Sequence, residues 1–346
     1  MERLHLNLDK RGYDITIGKG LLSRAGEILG IKSRALILTD SGVPSEYAEA
    51  VAKSIGGAEI LTLESGEGTK SIDGFSRVLE AMAEASLTRT DALISVGGGV
   101  IGDLGGFAAA SYMRGIAFYN VPTTVLSMVD SSVGGKCAIN LCGIKNIVGA
   151  FYQPRGVLID TDTLKTLDKR QISSGLCEAL KMSLTSDADL FGIFEKESAE
   201  GIIANIEEVI LRSLKIKGRV VELDECESGL RKILNFGHTV GHGIEAAEGM
   251  HGLYHGECVA LGMIPMCSPE VKGRLIPVLN KLGLPTTYSG DLEYALKLMM
   301  HDKKAKDGGI DAILVEKIGS CKIERMSITE LCDLAQACPE LCTDRS

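Results

Sequence analysis

Four of the six histidines, His238, His242, His251 and His255, fall within 18 positions of one another. His238 and His242 stand four apart, so on a helix both rings leave the same face. The pattern is not HExxH, because Thr239 and Val240 follow His238, and a zinc-peptidase reading fails. Two imidazoles and one carboxylate form a three-ligand set that leaves a divalent metal an open position for chemistry. Glu178, Glu245 and Glu257 are the candidate carboxylates. Spacing alone chooses neither the third ligand nor the two histidines that bind.

A second polar block runs through Arg114, Thr123-Thr124, Asp130, Lys136, Asn140, Lys145 and Asn146. A lone lysine would be a solvated surface charge. Three cations, an aspartate and several hydroxyls set among glycines and apolar residues instead suit a phosphorylated, acidic substrate, whose oxygens accept charge-assisted hydrogen bonds. A third feature is Gly97-Gly98-Gly99-Val100-Ile101-Gly102-Asp103, which contains G-x-G-x-x-G directly after the apolar run Ala92–Val96. Bare backbone N–H groups at a helix start suit a pyrophosphate. The glycines follow the third strand, however, and the next one, Ile116–Val121, ends without an acid for a ribose. Asp40, Glu67 and Lys70 follow the earlier strands, and ligands of such sheets bind at the carboxyl ends of strands.

The elements that must position these groups alternate between strand and helix as far as residue 165. Strands are expected at 35–40, 58–63, 92–96 and 116–121, with helices at 46–55, 72–85 and 102–111 between them. Strands apolar throughout and alternating with helices imply a parallel sheet covered on both faces. Beyond that point strand signals nearly vanish: 202–221, 230–247 and 294–300 carry helical spacing, and only 312–315 and 321–323 look extended. The expected domains are therefore 1–165 and 166–346.

The 346 residues are 45% hydrophobic, ample for a large core, and carry a net charge of −9, which leaves no electrostatic footprint for nucleic acid or an anionic membrane. Aromatic residues are 4% with no Trp, which argues against a stacking platform for single strands. Ten cysteines without a CxxC pair make neither a thiolate zinc site nor a disulfide framework. The charged start has no apolar signal region, and no apolar run reaches 18 residues, so a reduced, cytoplasmic protein is expected.

The chain resembles the 3-dehydroquinate synthases of the shikimate pathway. The resemblance rests on GGGVIGDLGGFAAASYMRG (97–115), VPTTVLSMVDSSVGGKCAINLCGIKNIVGAFYQP (121–154), GLCEALKMSL (175–184), ESGLRKILNFGHTVGHGIEA (227–246), YHGECVALGM (254–263) and DKKAKDG (302–308), and extends from about residue 3 to about 335. It implies an α/β N-terminal domain with a mostly parallel, Rossmann-like sheet that binds NAD, followed by a mainly helical metal- and substrate-binding domain. A metal, zinc or cobalt, would be held by Glu178, His238 and His255. NAD would meet Asp40, Ser65, Gly66, Glu67, Gly68, Thr69, Lys70, Gly99, Val100, Ile101, Gly102, Asp103, Thr123 and Thr124. Lys136, Lys145, Thr163, Leu164, Lys165 and Thr166 would complete that site. The substrate would meet Asp130, Lys136, Asn146, Lys181, Lys217, Glu227, Arg231, Asn235, His242 and Lys304, the last in preference to Lys303. Arg114 would reach the phosphate site of a second subunit in a homodimer. The chain departs from the family in a shorter stretch between Met263 and Lys281 and in its tail after Leu334.

The implied reaction turns 3-deoxy-D-arabino-heptulosonate 7-phosphate into 3-dehydroquinate and inorganic phosphate. The C5 hydroxyl is oxidised transiently against NAD, phosphate leaves by β-elimination, the ketone is reduced again, the ring opens and an aldol step closes the carbocycle. Because ligating histidines must be neutral, activity is expected to fall below about pH 6. Two alternatives share parts of this pattern. A cyclase of the 2-deoxy-scyllo-inosose synthase type would lack use for Lys217 and Arg231 as a carboxylate clamp. An NAD-dependent polyol dehydrogenase would lack use for Lys136, Asn146, Asn235 and Lys304.

Overall fold

The computed structural model describes all residues except Ser228, 250–251, 304–308 and 342–346. The chain divides into two compact units, Met1–Asp168 with Lys217–Glu222, and Lys169–Ile216 with Leu223–Ser346.

The first unit is built on a seven-stranded sheet. Its strands are β1 (Glu2–Leu6), β2 (Tyr13–Gly18), β3 (Ala35–Asp40), β4 (Glu59–Leu63), β5 (Ala92–Gly97), β6 (Ala117–Pro122) and, after the hairpin β7 (Lys136–Leu141) and β8 (Ile144–Phe151), β9 (Gly156–Asp160). The order is β1-β2-β9-β6-β5-β3-β4, all parallel except β1, which pairs antiparallel with β2 at one edge. Period-two alternation sends Leu36, Leu38 and Leu93 to a face covered by the helices Ile72–Glu84 and Gly99–Ser111. Ala35, Ile37, Ile94 and Val96 go to the opposite face, under the helix Ser45–Ser54. Burial on both faces is why these strands read as unbroken apolar runs.

Counted from β3, the order is 2-1-3-4-5, and it reverses between β3 and β5. That reversal is the crevice where such sheets take ligands. The glycine-rich turn follows β5, on one side of this crevice, and Asp40 ends β3 on the other. The glycines therefore belong after the third expected strand in this topology. The helix they open lies very close to its neighbours: a Cβ on Gly105 would sit 2.1 Å from Ser95 Oγ, and one on Gly106 2.2 Å from Cys137 Sγ.

The second unit is mainly helical, with one two-stranded sheet of β10 (Gly309–Lys317) and β11 (Ser320–Ser327). Its principal helices are Lys169–Ser186, Ile206–Leu223, His238–Glu248, His255–Met263, Pro269–Lys281 and Leu292–Lys303. The continuous helix expected over 230–247 is a 3-10 turn, Leu230–Asn235, followed by a separate helix from His238. Gly237 makes the break: its φ of 76° is left-handed, and a Cβ there would meet Val259 O at 2.8 Å.

Candidate metal and nucleotide sites

In the second unit three helices meet at one cluster. Glu178 comes from the helix Lys169–Ser186, His238 opens the helix His238–Glu248, and His255 opens the helix His255–Met263. One ligand atom from each lies within 4.8 Å of the others. Glu178 Oε1 is 3.8 Å from His238 Nε2 and 3.6 Å from His255 Nε2. The far ring nitrogens are both engaged: His238 Nδ1 lies 3.1 Å from the Phe236 carbonyl, and His255 Nδ1 3.3 Å from Glu245 Oε2. Donation from Nδ1 leaves each Nε2 with its lone pair turned to Glu178, the outer support expected around metal-ligating histidines.

Glu178 is buried, and Lys181 Nζ donates to its Oε2 at 2.5 Å. Its Oε1 is buried without a hydrogen-bond partner among the described residues. Burial, then the Lys181 ammonium, drives His238 well below the ordinary imidazole range. His255 shifts the other way: burial disfavours its charge, but Glu245 and Glu178 outweigh that and raise its pKa. A carboxylate oxygen without a donor, beside two imidazole lone pairs, makes a pocket that favours a cation. The donor set of one carboxylate and two imidazoles fits zinc or a similar borderline metal.

The carboxylate choice that spacing left open now has a geometric answer. Glu257 is taken: Arg170 Nε donates to its Oε1 at 2.7 Å and Nη2 to its Oε2 at 2.6 Å. Glu245 supports His255 from behind, although it also forms a possible group with His242 and His255. His242 lies beside the cluster, its ring 5.2 Å from that of His238.

Of the expected substrate residues in this unit, Lys181 is at the cluster. Arg231 is buried in the turn Leu230–Asn235, its backbone N–H donating to Asp224 Oδ2 at 2.9 Å and its guanidinium to Glu225 O. Asn235 Nδ2 donates to Glu227 Oε1 at 2.7 Å, and Glu227 holds a left-handed φ of 59°. Lys304 lies outside the described residues.

In the first unit, the expected nucleotide residues lie at carboxyl ends of parallel strands, except Lys136 and Lys145, which belong to the hairpin β7–β8. Asp40 ends β3, 65–70 follows β4, 99–103 follows β5, Thr123-Thr124 follows β6, and 163–166 follows β9. Asp40 accepts the Gly42 N–H at 2.8 Å, and burial raises its pKa against that bond. Lys70 Nζ lies 2.5 Å from Asp103 Oδ2, joining the turn after β4 to the glycine-rich turn. Lys217 Nζ meets Asp130 Oδ1 at 2.5 Å. Lys136 starts β7, whereas Lys145 and Asn146 lie at the opposite end of the hairpin. Arg114 stands apart, beyond the far end of the 13-residue helix that begins at Gly99, roughly 20 Å along its axis.

Two supporting residues escaped the sequence reading, and a third was noted without its role. The Phe236 carbonyl and Arg170 carried no signal, since a carbonyl is everywhere and Arg170 reads as helix surface. Asn140, noted only as part of the polar block, donates to Glu67 Oε1 at 2.8 Å and accepts the Asn146 N–H at 2.9 Å. It fixes the hairpin tip to the turn after β4.

This architecture is that of the sugar-phosphate cyclases. A 2-deoxy-scyllo-inosose synthase, crystallised with carbaglucose-6-phosphate, NAD+ and Co2+, is similar with a TM-score of 0.87 and 27% identity over 97% of this chain and 99% of that one. A 2-epi-5-epi-valiolone synthase from Streptomyces hygroscopicus, with NAD+ and Zn2+ bound, gives a TM-score of 0.83 and 26% identity over 94% and 95%. The family model described as 3-dehydroquinate synthase N-terminal matches residues 60–174, and its C-terminal companion matches 175–305. A 3-dehydroquinate synthase of Enterococcus faecalis is 42% identical over 95% of this chain and 97% of its own length. The chain belongs to the 3-dehydroquinate synthase family.

Proposed function

We propose that this chain converts 3-deoxy-D-arabino-heptulosonate 7-phosphate into 3-dehydroquinate and inorganic phosphate, a step toward the aromatic amino acids, in the cytoplasm. The observation that carries the metal half is Glu178 Oε1, buried without a donor and faced by two imidazole nitrogens whose other sides are already engaged. The nucleotide half rests on five segments at the carboxyl edge of one parallel sheet, around its topological reversal. Glu178, His238 and His255 would hold zinc or cobalt, and the strand-end segments would hold NAD. When bound, the metal supplies a Lewis acid for substrate hydroxyl oxygens, and NAD accepts a hydride and returns it.

The chain's own groups do the rest. Lys181 fixes Glu178 through Oε2 and leaves Oε1 for ligation. Lys217 holds Asp130 at both its carboxylate and its carbonyl, which fixes the position of that carboxylate for moving a hydroxyl proton. Lys217 and Arg231 are assigned to the substrate carboxylate; Lys136, Asn235, His242 and Lys304 to its phosphate; and Asn146 to its hydroxyls. Departing phosphate can itself take the C6 proton, so the protein's main contribution is position.

The working unit is proposed to be a homodimer in which Arg114 completes the partner's phosphate site. Two observations support it. Leu141, Ile144, Ile147 and Phe151 of the hairpin and nearby Met113 are exposed apolar side chains. The Tyr152 hydroxyl, donating to Ile116 O at 2.6 Å, ties the end of β8 to the turn bearing Arg114. Sedimentation of Ile147→Asp as a monomer, with activity reduced, checks this; a monomeric wild type overturns it.

The deciding experiment measures phosphate release from the substrate with zinc and a catalytic amount of NAD, while following absorbance at 340 nm. Many phosphates released per NAD without net NADH is the expected result. Accumulating NADH would indicate a dehydrogenase. Turnover of glucose 6-phosphate in its place would select a cyclase of the 2-deoxy-scyllo-inosose synthase type.

A further inference from the structure

Arg170 sits on the helix Lys169–Ser186, eight residues before Glu178, with Ser174 midway. Positions i, i+4 and i+8 form one stripe of a helix. All three side chains on this stripe meet the segment 252–257, which carries His255. Arg170 donates to the Gly252 carbonyl at 3.0 Å and bidentately to Glu257, and its guanidinium lies 4.1 Å from the Tyr254 ring centroid. Ser174 Oγ accepts the Gly256 N–H at 3.0 Å, and a Cβ on Gly256 would lie 2.0 Å from Ser174 O. Glu178 faces His255 itself at 3.6 Å.

Glu257 completes the arrangement. Its Oε2 accepts the Tyr254 N–H at 2.7 Å while its own N–H donates to Tyr254 O at 2.9 Å, closing the first turn around His255. Glu257 is buried, so its carboxylate depends on a cation at this spot. Arg170 supplies that charge with planar, two-point geometry and stacks on the aromatic ring, which a lysine cannot reproduce.

We propose that Arg170 is a positioning residue for the metal: it fixes the backbone on both sides of His255 so that Nε2 stays on Glu178. The inference rests on the metal reading above. Groups of this kind govern affinity as much as the ligands they support.

The test measures zinc affinity by competition with a chromophoric chelator, and the visible spectrum of the cobalt-loaded protein, for wild type, Arg170→Met, Arg170→Lys and Tyr254→Leu. Arg170→Met is expected to weaken zinc binding about 10- to 100-fold, with a smaller loss in Arg170→Lys, unchanged far-ultraviolet circular dichroism and a shifted cobalt spectrum. Tyr254→Leu, which keeps the ion pair, gives a milder loss and serves if Arg170→Met does not fold. Zinc affinities within about twofold of wild type in the folded variants overturn the proposal, and a melting temperature lowered without a change in affinity does the same by giving Arg170 a purely structural part. Wild type that binds neither metal, or a Glu178→Ala variant that binds both normally, overturns the metal reading itself.

Discussion

The two units build their sites by opposite means. In the first, topology does the positioning: parallel strands end along one edge, and whatever follows each end faces the same crevice. The residues proposed to contribute come in short consecutive runs, and small residues there let neighbouring chains approach closely. In the second, side chains do the positioning. Glu178, His238 and His255 come from three helices, and each is held by a neighbour of its own: Lys181, the Phe236 carbonyl and Glu245. A site of three ligands depends on each of them.

The largest effect is expected at His238. Removing one of three ligands in His238→Ala is expected to lower kcat/KM about 1,000-fold, the worth of a Lewis acid supplying several kcal/mol. NAD affinity, read by fluorescence titration, stays within about twofold if the units act independently. Loss of both would show that the contrast between them is false.

Lys70→Met makes the reciprocal attack on the first unit. It leaves the Asp103 carboxylate facing a thioether where an ammonium stood at 2.5 Å. Stability to urea should fall by about 3 kcal/mol, much of it recovered in the Lys70→Met, Asp103→Leu double variant. NAD binding weakens and zinc affinity holds. A variant as stable as wild type would mean the pair is already dissolved in solvent.

The same contrast explains what could be read from sequence. The interior strands β3, β5 and β6 are legible because burial on both faces makes them mostly apolar, whereas β4 lies at the sheet edge and is largely exposed. β8 is missed because most of its residues are exposed, so IKNIVGAF carries no alternation and reads as a loop. β1 and β2 are missed for want of any neighbouring helix pattern. In the second unit, His238 and His242 are legible as a pair because a helix fixes their geometry locally. The carboxylate is not: Glu178, Glu245 and Glu257 are chemically equal until Arg170 is seen to hold one and His255 Nδ1 to meet another. Contacts 10 to 87 residues apart in the chain leave no periodic trace.

The smallest effect lies at the turn carrying Arg231 and Asn235. Lys232 in that turn donates to Asp311 of β10 at 2.6 Å, and Arg325 of β11 approaches the same carboxylate at 3.3 Å. The Lys232 bond above all, then Arg325, holds the Asp311 carboxyl below its usual range against some burial. A depressed folded pKa gives stability that is present above the unfolded value, about 3.9, and lost as pH falls through the lower folded one. Both partners are partly solvated, so Asp311→Asn should cost about 0.5–1 kcal/mol at pH 7. Denaturation series should show that deficit shrinking as wild type is titrated toward about pH 2, since the variant has no carboxylate left to protonate. A deficit unchanged across that range would assign the loss to packing. The turn would then owe its position to packing, with this ion pair playing no part.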